Sequence, residues 1–340
     1  MTAASIASQS TQRERVNRHG LEHPAATVPI DAPTVRRVRT VYLGTSEFAA
    51  AVLRRLAESA HRPLLVVTPP DRPQGRGRRT QSPPAAEAAG ELGVDLLQAQ
   101  NVNDEAALER IRAAQPEAIA VCSFGQLIRE PLLSGWPMLN VHPSLLPHWR
   151  GAAPIERAIM AGEDRTGVSV MGVTAGLDSG PVALREEVAI GPEEDFEALS
   201  TRLAALGGEL LVRALESLAE GRLELAEQDD DEATYAEKIA PEERRLDPRR
   251  PAEELARVVR ALTPHVGAYL ETSGGERLGV RRARPVDVGV RAGEVRAEWG
   301  ALLLGCGQGA LRLEIVQPAG GKPMAADAYL RGHPLPKLEL

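Results

Sequence analysis

The sequence predicts an α/β chain in two parts: a Rossmann-like, mostly parallel sheet domain, then a C-terminal small β-barrel domain. Two patterns carry this expectation. Between residues 38 and 141, short apolar strands alternate with helical segments, the signature of parallel strands covered by helices. From residue 267 onward, short strand-like runs recur between glycine-rich turns, and a small barrel is the natural way to close them. A length of 340 residues fits two domains, and 43% hydrophobic content fills a core in each.

Residues 1–36 are rich in Ala, Ser, Thr, Pro and Arg without apolar periodicity, so a disordered extension is expected. It lacks the apolar core of a secretory signal; its Ser, Thr and Arg faintly suggest a transit peptide, which Glu14, Glu22 and the prolines oppose. The first domain spans 37–220. Strands are expected at 40–43, 64–68, 118–121 and 138–141, helices at 48–60, 84–92 and 105–114, and a helix over 195–220 closes the domain. Residues 221–250 are highly charged, with Asp229, Asp230 and Asp231 in a row, and read as a linker. The second domain, 251–335, opens with a helix to 262 and continues in strands at 267–272, 277–282, 301–305 and 311–317.

The candidate chemistry lies where the strand over 138–141 runs out into Asn140-Val141-His142-Pro143-Ser144-Leu145-Leu146-Pro147. Asn140 and His142 are two apart and share one side of a strand. An amide donor beside an imidazole suits a developing oxyanion and a moving proton. A second strand end follows the apolar stretch 168–173 and carries Gly176-Leu177-Asp178-Ser179-Gly180, placing an Asp that can orient His142 and stabilise its charged form. In open parallel sheets ligands sit beyond the carboxyl ends of the strands, where Gly44, Asn140 and His142 fall. The Gly44-Thr45-Ser46 turn lacks the three spaced glycines of a dinucleotide fingerprint, so no nicotinamide or flavin is expected.

Composition narrows the partners. The net charge of −7 opposes a nucleic-acid partner only on average, since a local basic patch is what binds. Such a patch is the loop from Asp71 to Pro83, where Arg72, Arg76, Arg78 and Arg79 stand among glycines and prolines above the candidate site and suit phosphate contact. Cys122 and Cys306 sit in apolar contexts in different halves and read as buried free thiols of a reducing compartment. No cluster has metal-ligand spacing, so no metal is expected, and no apolar run is long enough to span a membrane.

These residues resemble the methionyl-tRNA formyltransferases of the formyltetrahydrofolate-dependent formyltransferase family. The resemblance runs from Val41-Tyr42-Leu43-Gly44-Thr45 through Pro70-Asp71-Arg72-Pro73, Asn140 to Pro147, Arg150-Gly151-Ala152-Ala153-Pro154-Ile155 and Gly176 to Gly180. It continues through Ala233-Thr234-Tyr235-Ala236-Glu237-Lys238-Ile239 to Gln317-Pro318-Ala319-Gly320-Gly321-Lys322-Pro323-Met324. Three positions depart from the family pattern: His148 stands in place of Arg or Lys, Glu156 in place of Gln, and Ala85 in place of Lys.

The resemblance implies transfer of a formyl group from 10-formyltetrahydrofolate, a co-substrate, to the α-amine of initiator methionyl-tRNA. On that reading Asn140 polarises the formyl oxygen, His142 stabilises the oxyanion and moves a proton, and Asp178 orients His142. Ser144, Leu145, Leu146 and Pro147 line the folate pocket, while Arg72, Arg76, Arg78, Arg79 and Lys322 meet tRNA, the last in an OB-like C-terminal domain. A monomer in the bacterial cytoplasm is expected, or alternatively in an organelle matrix. Two other readings share the scaffold: a formyltransferase acting on a nucleotide-linked amino sugar, opposed by the basic loop and the tail around Lys322, and a catalytically silent tRNA-binding protein, which leaves the Asn140, His142 and Asp178 set unexplained.

Overall fold

The computed structural model describes residues 36–74, 79–298 and 300–338. The expected extension thus lies outside the described residues except for Arg36, whose guanidinium donates to the Ala219 carbonyl at 3.0 Å and to Glu117 at 2.7 Å.

The central strand β1 (Thr40–Gly44) sends Val41 and Leu43 to one face and Tyr42 to the other, and all three are fully buried. Burial on both faces is why the strand reads as an unbroken apolar run. Helix α1 (Glu47–Ala57) starts at Ser46, whose hydroxyl accepts the Ala49 N–H. There follow β2 (Leu65–Thr68), the hairpin β3 (Arg72–Gln74) and β4 (Arg79–Gln81), α2 (Pro84–Leu92), β5 (Asp95–Gln98), α3 (Glu105–Ala113), β6 (Ala118–Cys122) and α4 (Leu132–Gly135). Then come β7 (Met138–His142), β8 (Arg150–Gly151), α5 (Pro154–Ala161), β9 (Arg165–Gly172), β10 (Val182–Ala189) and α6 (Phe196–Ala219).

Seven strands form one sheet in the order β10-β9-β7-β6-β1-β2-β5, parallel from β7 to β5 and antiparallel at β9 and β10. Helices α1, α2, α5 and α6 contribute to the core on one face, α3 and α4 to the core on the other. At Gly207 of α6 a Cβ would come 2.7 Å from Val141 Cγ1, so glycine seats the helix directly on β7. Strands β5 and β10 and the β3–β4 hairpin are additions to the expected elements. The expected helix over 48–60 ends earlier, at Ala57.

The charged segment expected as a linker is threaded back onto the first domain. Ala226 bridges Val182, and β11 (Tyr235–Ala236) pairs in parallel with β8. Beyond it, α7 (Ala252–Leu262) packs Leu255, Val258, Val259 and Leu262 against an antiparallel sheet. That sheet is built from β12 (Ala268–Glu271), β13 (Arg277–Val286), β14 (Val295–Glu298), β15 (Ala301–Gly305), β16 (Ala310–Gln317) and β17 (Met324–Ala325), and α8 (Ala326–Gly332) follows. Its order is β12-β13-β16-β15-β14, with β17 on β16. Register shifts in β13 around Arg282 are bulges that bend a strand of ten residues. The two parts meet where His265 stacks on Phe196 with ring centroids 3.7 Å apart and lies 3.0 Å from Glu156.

Cys122 and Cys306 are both buried, and burial pushes their thiols up to about 12 and about 11. Among the described residues no helix is long and apolar enough to cross a membrane, and no group of three or more potential ligands could hold a metal ion.

Candidate active site

Strand β1 leads to β2 on one side, whereas β6 and β7 lie on its other side, so the strand order reverses at β1. Such a switch point opens a crevice outside the carboxyl ends of the strands. Gly44 pairs with Cys122 there, and Asn140 and His142 stand at the end of β7 next to β6.

Asn140 is partly exposed, and among the described residues its side-chain amide makes no hydrogen bond. His142 is the opposite case. It is 4% exposed, and its Nε2–H donates to the Trp149 carbonyl at 2.9 Å. The other ring nitrogen, Nδ1, faces Asp178 Oδ2 at 3.7 Å. That separation is too long for a direct hydrogen bond but close for a charge pair. Asp178 Oδ2 itself accepts the Gly151 N–H at 2.9 Å. The backbone therefore fixes both partners, and the Asp178 carboxylate stands against Nδ1 of His142. Both ring nitrogens face oxygens, but only Nε2 is within hydrogen-bond distance of its partner.

Backbone conformation marks the same place. Four described non-glycine residues have positive φ, and three of them, Ser123 at 45°, Trp149 at 61° and Asp178 at 46°, lie in the loops at this end of the sheet. Sparsely populated conformations persist where surroundings over-determine them, and they gather at functional sites. Gly151, at φ 126°, lies under β11, where a Cβ would come 2.7 Å from the Ala236 carbonyl oxygen.

Ser144 to Pro147 follow His142 after Pro143 and turn inward. The Ser144 hydroxyl donates to the His148 carbonyl at 2.6 Å, and Ser169 Oγ donates to the Ser144 carbonyl while accepting the Leu146 N–H. Ser144, Leu146 and Pro147 are buried. Leu145 is partly exposed and borders a separate cavity of about 260 Å³ with His148, Trp149, Glu163, Asp164, Arg165 and Thr166. This packing makes 144–147 the support beneath His142. Arg72 is exposed on β3, just past the carboxyl end of β2, on the side of the sheet where His142 lies. Arg76 and Arg78 fall outside the described residues, and of Arg79 only the backbone is described. Lys322 is exposed in the turn between β16 and β17, in the second domain.

The sequence reading missed the loop after β6. Ser123, Phe124, Gly125 and Gln126 follow the carboxyl end of β6, with Thr45 Oγ1 donating to the Phe124 carbonyl at 2.8 Å and Gln126 tied to Ala99 and Val102. Its available signal was Gly125, at φ 71°, close behind a fully apolar strand.

Residues 36–215 match the formyl transferase family, and residues 238–334 match the formyl transferase C-terminal domain. The chain belongs to the formyl transferase family. Over 301 residues, 88% of this chain and 97% of the relative, it is 40% identical to methionyl-tRNA formyltransferase of Methylobacillus flagellatus. It is 42% identical to that of Halorhodospira halophila over 306 residues, 87% of this chain and 97% of that one. Two solved structures share the fold. An N-formyltransferase from Helicobacter canadensis, in complex with folinic acid and dTDP-3-aminofucose, superposes with a TM-score of 0.60 at 11% identity over 81% of this chain and 98% of that one. HypX from Aquifex aeolicus in complex with tetrahydrofolic acid gives 0.60 at 18% identity over 87% of this chain and 48% of its own, so this chain spans about half of HypX.

Proposed function

We propose that this protein transfers the formyl group of 10-formyltetrahydrofolate to the α-amine of initiator methionyl-tRNA. The observation that carries the reading is the 40% identity to a methionyl-tRNA formyltransferase across 97% of that relative, both domains included. The amine nitrogen attacks the formyl carbon, and the carbonyl electrons move onto oxygen. The bond from carbon to folate N10 then breaks, the amine loses a proton and N10 gains one. Asn140 offers its unengaged amide to the formyl oxygen as charge develops there. His142, aligned by its Nε2–H bond to the Trp149 carbonyl, stands on the same side of β7 as Asn140 to stabilise the oxyanion and take part in proton transfer, and Asp178 holds negative charge against its other side.

The folate lies in the crevice between the ends of β1, β6 and β7, supported by the Ser144 to Pro147 segment. Arg72, Arg76, Arg78 and Arg79 grip the acceptor end through its phosphates, and Lys322 extends the contact from the second domain. The protein works as a monomer in the cytoplasm, where initiation consumes its product.

The test is to give the purified protein 10-formyltetrahydrofolate with either methionyl-tRNA or a nucleotide-linked amino sugar. Formylmethionyl-tRNA is expected. Formylated sugar with untouched methionyl-tRNA overturns the reading.

A further inference from the structure

Arg150 is a buried cation in the middle of the site's framework. Its side chain is 4% exposed, and its Nε and Nη2 donate to Gln228 Oε1 at 3.1 and 2.9 Å, while Nη2 also reaches Asp230 Oδ1 at 2.8 Å. The other end of Gln228 is equally committed. Its Nε2 donates to the carbonyls of Asp178 at 2.9 Å and Gly180 at 2.6 Å. A carboxamide has two donors and an oxygen with two lone pairs, so all four positions are used. Only glutamine meets this demand: Glu would set an oxygen against two carbonyls, and Asn is one methylene short.

The arrangement bridges the residues that surround His142. Arg150 lies between Trp149, whose carbonyl holds His142, and Gly151, whose N–H holds Asp178. Gln228 grips the backbone of the Asp178 turn, where Asp178 keeps a positive φ of 46°, sparsely populated for a non-glycine residue. Gln228 itself is delivered by the segment between the two domains, two residues past the Ala226–Val182 bridge.

Building on the formyl-transfer reading, we propose that Gln228, together with buried Arg150, is a positioning residue of this site: its carboxamide staples the Asp178–Gly180 turn to β8 and so keeps the Asp178 carboxylate facing His142. The connection between the domains is then part of the machinery that sets the turnover rate. Gln228 touches no reacting atom.

The experiment is a double-mutant cycle on the full chain. Gln228→Ala and Gln228→Glu are made in the wild type and in Asp178→Ala, and formylation of methionyl-tRNA is followed to give kcat and KM. Each single variant is expected to lower kcat by roughly 10- to 100-fold, the loss that follows misplacement of a group by about 1 Å, with little change in KM for either substrate. In the Asp178→Ala background the same changes cost less than about twofold, because the positioned group is gone. The ring ¹⁵N resonances of His142 shift in Gln228→Ala in the direction seen in Asp178→Ala. Equal losses in both backgrounds, or single variants within about twofold of wild type, overturn the proposal. So does failure of both variants to fold, which makes Gln228 a scaffold residue. If Asp178→Ala keeps full turnover, the reading of Asp178 falls as well; a silent Gln228 beside a damaging Asp178→Ala removes this inference alone.

Discussion

Two strand ends on the same side of one sheet have opposite characters. The end of β7 is locked: His142, Ser144 and Arg150 are buried, and each is tied to named backbone or side-chain partners. The hairpin beyond β2 is a ribbon of three residues a side that presents Arg72 to solvent. The difference matches what the proposed function asks of each. Bond-making loses rate steeply when a group moves by about 1 Å, whereas contact with phosphates acts through charge and tolerates motion. A locked site and an exposed cationic hairpin can therefore share one end of the sheet.

The comparison breaks most visibly at the rigid end. Asn140→Ala, His142→Ala and Asp178→Ala should each cut turnover by about 10²–10³-fold, the scale of losing one oxyanion donor in comparable sites, while the fold and tRNA binding hold. Full turnover in all three would mean that the chemistry lies elsewhere. Next in size is Gly151→Ala, which puts a Cβ 2.7 Å from the Ala236 carbonyl oxygen at a φ of 126°. It should cost about 1–3 kcal/mol in denaturant unfolding and slow formylation, since β8 carries the N–H that holds Asp178. Wild-type behaviour would show that β11 yields easily.

At the other strand end, neutralising Arg76, Arg78 and Arg79 together should weaken methionyl-tRNA binding and leave folate binding alone. Its salt dependence should flatten by about one unit of log–log slope per lost phosphate contact. An unchanged slope would take the arm out of the interface. The smallest effect is expected from deleting residues 1–35, which stops short of the Arg36 contacts and should leave both melting temperature and turnover unchanged. A clear loss in either would show that the extension docks.

What was legible in the sequence follows the same division. β1, β6 and β7 are buried on both faces and read as apolar runs; β5 and β10 are edge strands. β10, Val182–Ala189, carries Arg185, Glu186 and Glu187 in its exposed part, so its pattern dissolves into a charged surface. Asn140, His142 and Asp178 stood out because each ends an apolar stretch in residues that a core does not need. Gln228 did not, because its role depends on a parallel pairing of Arg150 with Tyr235, 85 positions on, and nothing local announces it. In the sequence Glu156 is only a departure from pattern; the fold gives it His265 as a partner, itself stacked on Phe196.

Each half of the chain holds one deeply buried thiol, Cys122 in the parallel sheet and Cys306 in the antiparallel one. Reagents that attack thiolates will find neither while its sheet stays closed, because burial keeps both protonated. The chain thus carries a built-in stopwatch for each half: the labelling rate of one sulfur times the opening of the sheet behind the active site, and that of the other times its neighbour, with no added probe.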